Sequence, residues 1–393
     1  MTASLTARRT LPEPLRGPEF GSYAADEVGW LLTDLSAVQL EASTARRERA
    51  IQSGQAHYAE SLPIEYHPSS EYQALFARAL DDSADRLALA VGVVTEQVMA
   101  ERGPNPTLVS LARAGTPVGV LMRRWARYSR GADLPHYAMS IVRGRGIDTV
   151  ALEYLAAHHD SRTVVFVDGW TGKGAITREL TVAVAAANAG LGTAFSPAMA
   201  VLADPGACVA TFGTRDDYLI ASACLNSTVS GLVSRTVLNR GLIGPRSFHG
   251  AKFYALLADA DASTTFLDAV SARFDAVSAA VMRRWPAIQR SDRRPTWAGW
   301  RTVQRLAAQY SIDDLNLIKP GVGETTRVLL RRVPWRVLVR PDAGADCAHV
   351  LLLAAERGVE VVEVDDLEYR CVGLIHPGFS RAAADNPDSG PGV

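Results

Sequence analysis

The chain has 393 residues, 48% of them hydrophobic, so it can bury a large core, and its length predicts two domains. A formal net charge of −1 excludes an overall electrostatic attraction to nucleic acid or membrane. Four scattered cysteines form no disulfide framework, and no apolar run is long enough for a signal peptide or a membrane span. We therefore expect a globular protein of a reducing cytoplasm, with no membrane association.

The sequence of the N-terminal part predicts helices that cover a larger domain. Residues 1–20 are rich in Pro, Thr and Arg and are expected to be loose. The apolar spacing over 23–49 predicts a helix, and that over 70–102 predicts a longer one with a buried side. Residues 21–285 are assigned to one domain that includes this cover.

A short strand is predicted at 107–111, and it leads into Arg113-Ala114-Gly115-Thr116 before an apolar helix. Arg113 offers a charged planar fork, and Gly115 lets a ligand approach the backbone closely, which together suit a diphosphate. An ordinary strand-to-helix turn with a surface arginine is the alternative.

An alternating strand at 136–142 precedes a second basic loop. Arg143 and Arg145 are each followed by glycine, which suits a mobile loop that closes over an anion and excludes water. A solvated basic turn would explain the same residues. A helix is predicted to follow at 150–158.

A third loop follows a β-branched and aromatic strand at 163–167, and it is the most informative stretch of the chain. Its glycines let backbone N–H groups point to one position, and the positive end of the dipole of the following helix also favours negative charge there. The loop is therefore a candidate anion-binding site. Val167 and Gly174 exclude a Walker A motif, and Thr177 excludes a dinucleotide fingerprint. A plain strand-to-helix turn is the alternative. The residues of the loop are Asp168, Gly169, Trp170, Thr171, Gly172, Lys173 and Gly174.

This third loop resembles the phosphoribosyl-pyrophosphate (PRPP) loop of type I phosphoribosyltransferases, and the Arg-Ala-Gly of the first loop resembles that of the uracil-type members. Gly169 stands where those enzymes usually have a second acid. The three loops follow the family's order, each at the carboxyl end of a predicted strand. In a parallel sheet they would meet at one edge and grip one sugar diphosphate.

The resemblance implies transfer of a 5-phosphoribosyl group between pyrophosphate and a nitrogenous base, with Mg²⁺ as cofactor and Asp168 touching the metal only through PRPP. The residues implied as catalytic are Asp168, Arg113, Arg143 and Arg145. Those implied to hold PRPP are Ala114, Gly115, Thr116, Gly169, Thr171, Gly172, Lys173 and Gly174. After a fourth strand, predicted at 198–202, the candidate base contacts are Asp217, Tyr218 and Ser222, on position alone.

The segment after the fourth strand supports a competing interpretation. The chain also resembles the StiP cysteine protease family, for which Cys224 and His249 would be the thiol and base. No basic residue or helix start beside Cys224 predicts a lowered thiol pKa, so a buried inert cysteine is the alternative. Residues 208–285 are expected to form a helical insert.

Residues 286–310 are polar and basic and predict a linker to a small α/β domain at 311–380. The start of this domain resembles the Pelota type of RNA-binding domain, with Gly323 where the signature has Asn. Packing or dimerisation alone is the alternative role. Residues 381–393 are expected to be disordered. The residues implied to contact RNA are Lys319, Gly321, Glu324, Thr326 and Arg327.

The predicted fold class is α/β: a type I phosphoribosyltransferase-like parallel sheet with helical additions, plus a small Pelota-like domain. This combination resembles the bacterial phosphoribosyltransferase/StiP family, associated with tellurium resistance and stress response. We expect a pentosyl-transferring enzyme of nucleotide metabolism whose partners are PRPP, a base or nucleotide, RNA and a second copy of the chain. The alternatives are a cysteine protease and a non-catalytic, nucleotide-sensing RNA-binding protein.

Overall fold

The computed structural model describes residues 11–42, 57, 59–65 and 67–376. Residues 1–10, the end of the first predicted helix at 43–49 and the tail at 381–393 lie outside these ranges.

Strands in the described part of the chain make up one large parallel sheet, one small mixed sheet and three two-stranded pairs. In chain order they are β1 (Gly29–Leu31), β2 (Thr33–Asp34), β3 (Glu41–Ala42), β4 (Leu62–Pro63), β5 (Thr107–Leu111), β6 (His136–Met139), β7 (Ile141–Val142), β8 (Gly146–Ile147), β9 (Val164–Trp170), β10 (Met199–Ala203), β11 (Thr211–Thr214), β12 (Gly250–Ala251), β13 (Ile318–Pro320), β14 (Pro334–Val339), β15 (Glu360–Glu363) and β16 (Cys371–Ile375).

The helices of the described residues flank these sheets, and none is both long and apolar enough to cross a bilayer. They are α1 (Ser70–Arg102), α2 (Thr116–Arg130), α3 (Thr149–His158), α4 (Ala175–Leu191), α5 (Ser263–Ser271), α6 (Phe274–Arg290), α7 (Ala298–Gln309), α8 (Val322–Arg331) and α9 (Ala348–Glu356).

The large sheet has the strand order β1-β6-β5-β9-β10-β11, and each neighbouring pair is parallel. Alternate residues of each strand point to opposite faces, so Val165 packs in a hydrophobic cluster on one face and Phe166 in a cluster on the other. Both faces are buried, as a parallel sheet requires. The mixed α/β architecture predicted from the sequence is confirmed.

Most of the predicted core elements lie within a few residues of their predicted positions, including α1, β5, β9, α4 and β10. The helix predicted over 23–49 is wrong for its described part, which contains the short strands β1, β2 and β3. The apolar spacing there fits a helix, but β1 pairs with β6 and completes the sheet. Tertiary pairing therefore overrides the local pattern.

The stretch 208–285 contains β11, irregular turns, α5 and most of α6, so it is helical only in its second half. The predicted linker at 286–310 contains the end of α6 and all of α7. Val303 and Leu306 of α7 are fully buried against the C-terminal domain. This burial stabilises a helix where the polar sequence predicted a loose connection.

The C-terminal domain has the strand order β13-β16-β14-β15, with α8 and α9 packed on it. It is docked on the first domain through a shared hydrophobic cluster, which includes Tyr218 and Val322, and through polar contacts. The Asp217 carboxylate accepts hydrogen bonds from the backbone N–H groups of Val322 and Arg370, both at 2.9 Å. Arg86 forms an ion pair with Asp346 at 2.6 Å. The edge of the large sheet therefore faces the C-terminal domain.

A candidate site between the sheet edge and the C-terminal domain

A crevice of about 330 Å³ opens between the carboxyl end of β9 and the start of α8. This volume lies at the lower end of the range of small-molecule pockets. A smaller inner chamber of about 20 Å³ adjoins it and shares the lining residues Trp170, Thr171, Pro320 and Glu324. The polar and charged residues that line the crevice are Arg143, Asp168, Thr171, Lys173, Thr177, Asn316, Lys319, Glu324 and Arg327.

The glycine-rich loop of residues 171–174 forms the floor of the crevice. Gly174 has a φ of +71°, and a Cβ there would lie 2.4 Å from the Trp297 ring and 2.9 Å from Cys208 Sγ, so the position requires glycine. The Thr171 hydroxyl donates to Asp204, which holds the start of the loop. The backbone N–H groups of residues 172–174 donate to no described residue. These N–H groups remain available to an anion, and anion binding by the loop stays a prediction.

Asp168 lies at the crevice wall, at the end of β9. Its carboxylate accepts a hydrogen bond from the Gly169 backbone N–H at 2.8 Å. Burial raises the pKa of Asp168 to about 7, so the group is divided between its acid and carboxylate forms at neutral pH. A carboxyl with such a pKa in a crevice can exchange a proton with a bound ligand.

The three predicted arginines do not converge on the crevice. Arg143 lines it and donates to Asn316 Oδ1 at 3.2 Å. Arg113 turns away, donates to the Val233 carbonyl at 3.3 Å and lies 3.8 Å from Glu65, while Arg145 lies 3.7 Å from Glu60. The predicted grip of all three arginines on one diphosphate is therefore absent from this arrangement.

The backbone around Arg113 nevertheless lies close to the site. Ala114 lines the crevice, and a Cβ at Gly115 would come 2.3 Å from the Val167 carbonyl oxygen. Thr116 begins α2 and is fully buried, and the Ala112–Arg113 peptide bond is cis. A Cβ at Gly169 would meet the Ala114 carbonyl at 3.5 Å, so the first and third loops are neighbours at the sheet edge.

The candidate base contacts have other positions. Asp217 and Tyr218 line the inner chamber, but the Asp217 carboxylate is engaged by the two backbone N–H groups of the C-terminal domain. Tyr218 is buried, with the Arg86 guanidinium 3.9 Å from its ring centre. Ser222 lies in a 3-10 turn at 221–223 and is half-buried.

Three of the residues that the Pelota resemblance implied to contact RNA face the crevice and not open solvent. Lys319, Glu324 and Arg327 line it. A Cβ at Gly321 would lie 3.1 Å from Asp217 Oδ1, and Thr326 is buried, with its hydroxyl bonded to the Val322 carbonyl and to His349. The predicted RNA-contacting edge is thus part of the interface between the domains.

The sequence did not indicate Asn316, Pro320 or Met199 as members of this site. No signal in the sequence could have shown Asn316, because it lies in a polar turn that reaches the crevice only through domain docking. The second wall of the crevice is a tertiary feature.

The predicted thiol and base contact different groups. Cys224 is 1% exposed and packs in the hydrophobic cluster that also holds Val165. His249 Nδ1 lies 2.8 Å from Ser140 Oγ, and its backbone N–H donates to Asp148 at 2.5 Å. Cys224 and His249 therefore form no dyad in this arrangement.

Comparison with known proteins assigns the chain. Residues 21–271 match the family described as "Tellurite-like stress resistance cysteine protease StiP", and residues 297–377 match the PELOTA RNA binding domain. The chain belongs to the StiP family. A curated relative, "Cysteine protease StiP" of Acinetobacter baylyi, is 34% identical over 368 residues, which cover 90% of this chain and 94% of the relative.

The two matches confirm the resemblances to the StiP family and to the Pelota domain, and they correct the predicted function. The expectation of a phosphoribosyltransferase, a pentosyl-transferring enzyme of nucleotide metabolism, is wrong, because both the family and the full-length relative carry the name of a cysteine protease. The alternative interpretation agrees with these names. Phosphate-competent loops on a parallel sheet did not determine the reaction, since one fold supports many chemistries.

Proposed function

We propose that this protein is a cysteine-dependent peptidase and that Cys224 is its nucleophile. The observation that carries the proposal is the 34% identity to a named cysteine protease over nearly the whole of both chains. The StiP match at 21–271 contains two cysteines, Cys208 and Cys224. A thiol nucleophile of this domain is therefore one of the two.

The surroundings of Cys208 disfavour it. Its Sγ lies 3.4 Å from the Gly206 carbonyl and 3.6 Å from the Gly172 carbonyl, and both oxygens favour the protonated thiol. Burial and the nearby Asp204 raise the pKa of Cys208 to about 12. A thiol with such a pKa is almost entirely un-ionised at neutral pH and is a poor nucleophile.

The segment that carries Cys224 is better placed. The preceding residue, Ala223, lines the inner chamber, and a Cβ at Gly323, in the first turn of α8, would lie 3.4 Å from the Ala223 side chain. This contact places the segment at the edge of the inner chamber. Because Cys224 is buried, a substrate reaches it only when the C-terminal domain moves off this segment. The arrangement described above therefore corresponds to a resting form.

Site-directed variants test this function. With denatured casein as substrate, Cys224→Ala should lose about 100-fold or more of the cleavage rate. The matched control Cys347→Ala removes a buried thiol outside the StiP match and should retain activity.

Labelling by iodoacetamide should reach Cys224 faster in Asp217→Ala, in which the domain contact is weakened. Loss of cleavage in Cys208→Ala with full activity in Cys224→Ala, or cleavage without any cysteine, would overturn the proposal.

We further propose that the large sheet has the type I phosphoribosyltransferase-like fold. The parallel order and the three loops at the carboxyl ends of β5, β6 and β9 support it. PRPP and Mg²⁺ stay predictions as ligands of the crevice. None of the four described cysteines forms a disulfide bond, and a reducing cytoplasm stays a prediction. Crystals soaked with PRPP and Mg²⁺ would test both the fold and the ligands, and an empty loop at 171–174 would count against these ligands.

A further inference from the structure

We propose that the crevice is a binding site for a small phosphorylated ligand and that the C-terminal domain supplies half of the site through Lys319 and Arg327. This inference is independent of which cysteine acts as nucleophile. It assigns the Pelota-like domain a role in binding a small molecule at the domain interface.

The first argument is the charge of the crevice. Four cationic side chains line it, against two acidic ones. Glu324 is paired with Arg327 at 3.3 Å, and Asp168 is only partly ionised at neutral pH. The lining therefore has more cationic than anionic side chains, and a dianion would reduce this excess of positive charge. The cationic residues are Arg143, Lys173, Lys319 and Arg327.

The second argument is the position of the lysine residues. The chain has only three lysines, Lys173, Lys252 and Lys319, although it is rich in arginine. Lys252 is neutralised by Glu41 at 2.8 Å. The other two line the same crevice from opposite domains. A compact ammonium group in each wall suits a phosphate that must be contacted from two sides.

Neither crevice lysine forms a salt bridge with a described carboxylate, although Glu324 lies near both. Lys173 Nζ donates to the Leu315 and Ile318 carbonyls, which leave its charge unbalanced. Lys319 Nζ makes no hydrogen bond to a residue in the described ranges. Burial, followed by repulsion from Lys319, lowers the pKa of Lys173 to about 8, and burial also lowers that of Lys319. A bound anion would relieve both effects.

The third argument is the set of hydrogen-bond donors on the floor of the crevice. The free backbone N–H groups of residues 172–174 lie beside the cations, and the buried Thr177 hydroxyl in the same lining has no described partner. Trp170 also lines the crevice and offers a flat apolar surface for an organic group. With a volume of about 330 Å³, the site fits a small organic phosphate of nucleotide size.

The docking of the domains excludes RNA from this edge. Lys319 and Arg327 are turned into the crevice, and Gly321 packs against Asp217. A folded RNA is too large to reach these residues while the Asp217 contacts hold. Small-ligand binding and RNA binding by this edge therefore require different arrangements of the two domains.

Ligand binding to the full-length protein tests the site, because a ligand of the native state raises the melting temperature. Inorganic phosphate, pyrophosphate, AMP and a 20-nucleotide RNA would each be titrated by thermal shift and calorimetry, with adenosine as the uncharged control. We expect stabilisation by AMP or pyrophosphate and none by adenosine. Stabilisation by inorganic phosphate alone would restrict the ligand to a free anion and contradict the organic group.

Charge-removing variants locate the site. Lys319→Met and Arg327→Gln keep most of the side-chain volume and should each weaken AMP or pyrophosphate binding about tenfold or more. Arg294→Met is the matched control, because Arg294 is highly exposed and paired only with its neighbour Asp292. Unliganded melting temperatures and circular dichroism check that each variant folds. Equal binding by Lys319→Met, Arg327→Gln and wild type, or RNA binding that depends on Arg327 with no small-anion binding, would overturn the inference.

Peptidase activity is not needed for this measurement, so it can be made in Cys224→Ala protein. A failure of the binding experiment would leave the peptidase proposal untouched. Conversely, a result that contradicts the peptidase proposal would leave the binding proposal unaffected.

Discussion

The Asp217 carboxylate accepts a hydrogen bond of 2.9 Å from the backbone N–H of Val322, the first residue of α8. Its second oxygen accepts from the Arg370 N–H. A single side chain of the first domain thus satisfies two buried donors of the second, which would otherwise have no partner at the interface. Because α8 forms one wall of the crevice, this contact also positions Lys319 and Arg327.

We predict that Asp217→Ala loosens the domain interface. Two buried N–H groups would lose their acceptor, at a cost of about 1–3 kcal/mol each. Limited proteolysis should then cut within 291–297, between α6 and α7, faster than in wild type. Asp342→Ala removes an exposed carboxylate paired with Arg340 and should leave the cleavage rate unchanged. Equal rates for wild type and Asp217→Ala would show that other contacts hold the domains together.

Two glycines of the same loop should respond differently to alanine. Gly174→Ala places a Cβ against the Trp297 ring at a positive φ and should reduce the free energy of unfolding by about 1–3 kcal/mol. Gly172→Ala should have a much smaller effect, since its Cβ would meet Pro320 at an ordinary 3.6 Å. Urea denaturation of the two variants measures the difference. Similar values for both would mean that the loop rearranges to accept a side chain.

The stability of the protein should fall with rising pH because of Asp168. Its pKa of about 7 in the folded state exceeds the usual value near 4, so from about pH 4 to 7 the folded state binds a proton that the unfolded state has lost. This contribution is complete below pH 4 and is lost as pH rises through 7. The charged groups that share the crevice with Asp168 are Arg143, Lys173, Lys319, Glu324 and Arg327.

Asp168→Asn lacks this titration. Between pH 5 and 8 its melting temperature should rise relative to wild type by about 2 °C or more. Asp217, whose pKa is raised to about 6, titrates in both proteins and cancels in the comparison. Parallel melting curves at all pH values would mean that Asp168 is ionised throughout in the folded protein.

The Cys208 thiol should be unreactive in the native protein. With its pKa raised to about 12, only about one molecule in 10⁴ carries the thiolate at pH 8, and the group is also buried. Iodoacetamide should modify Cys208 at least about 1000-fold more slowly than a free cysteine peptide. Mass spectrometry after proteolysis locates the modified thiol, and the unfolded protein in guanidinium is the reference. Rapid native labelling would contradict the position assigned to this thiol.

The apolar strand sequences, the helix periodicity and the glycine loops determine the sheet and one wall of the crevice from local sequence alone. β9 and α4 follow from a β-branched run and an apolar repeat, which are local signals. The family resemblances were also carried by local motifs. These same motifs suggested a transferase, because residues that bind phosphate are compatible with many reactions.

Only the tertiary structure decided where the charged residues point. Arg113 forms an ion pair with Glu65 and does not line the crevice. Lys319 and Lys173 line it from opposite domains, although nearly 150 positions separate them in the chain. The contacts of His249 with Ser140 and Asp148, and not with Cys224, likewise depend on how distant segments pack. Local sequence determines the elements, whereas contacts between distant elements depend on the packing of the whole chain and cannot be deduced from spacing.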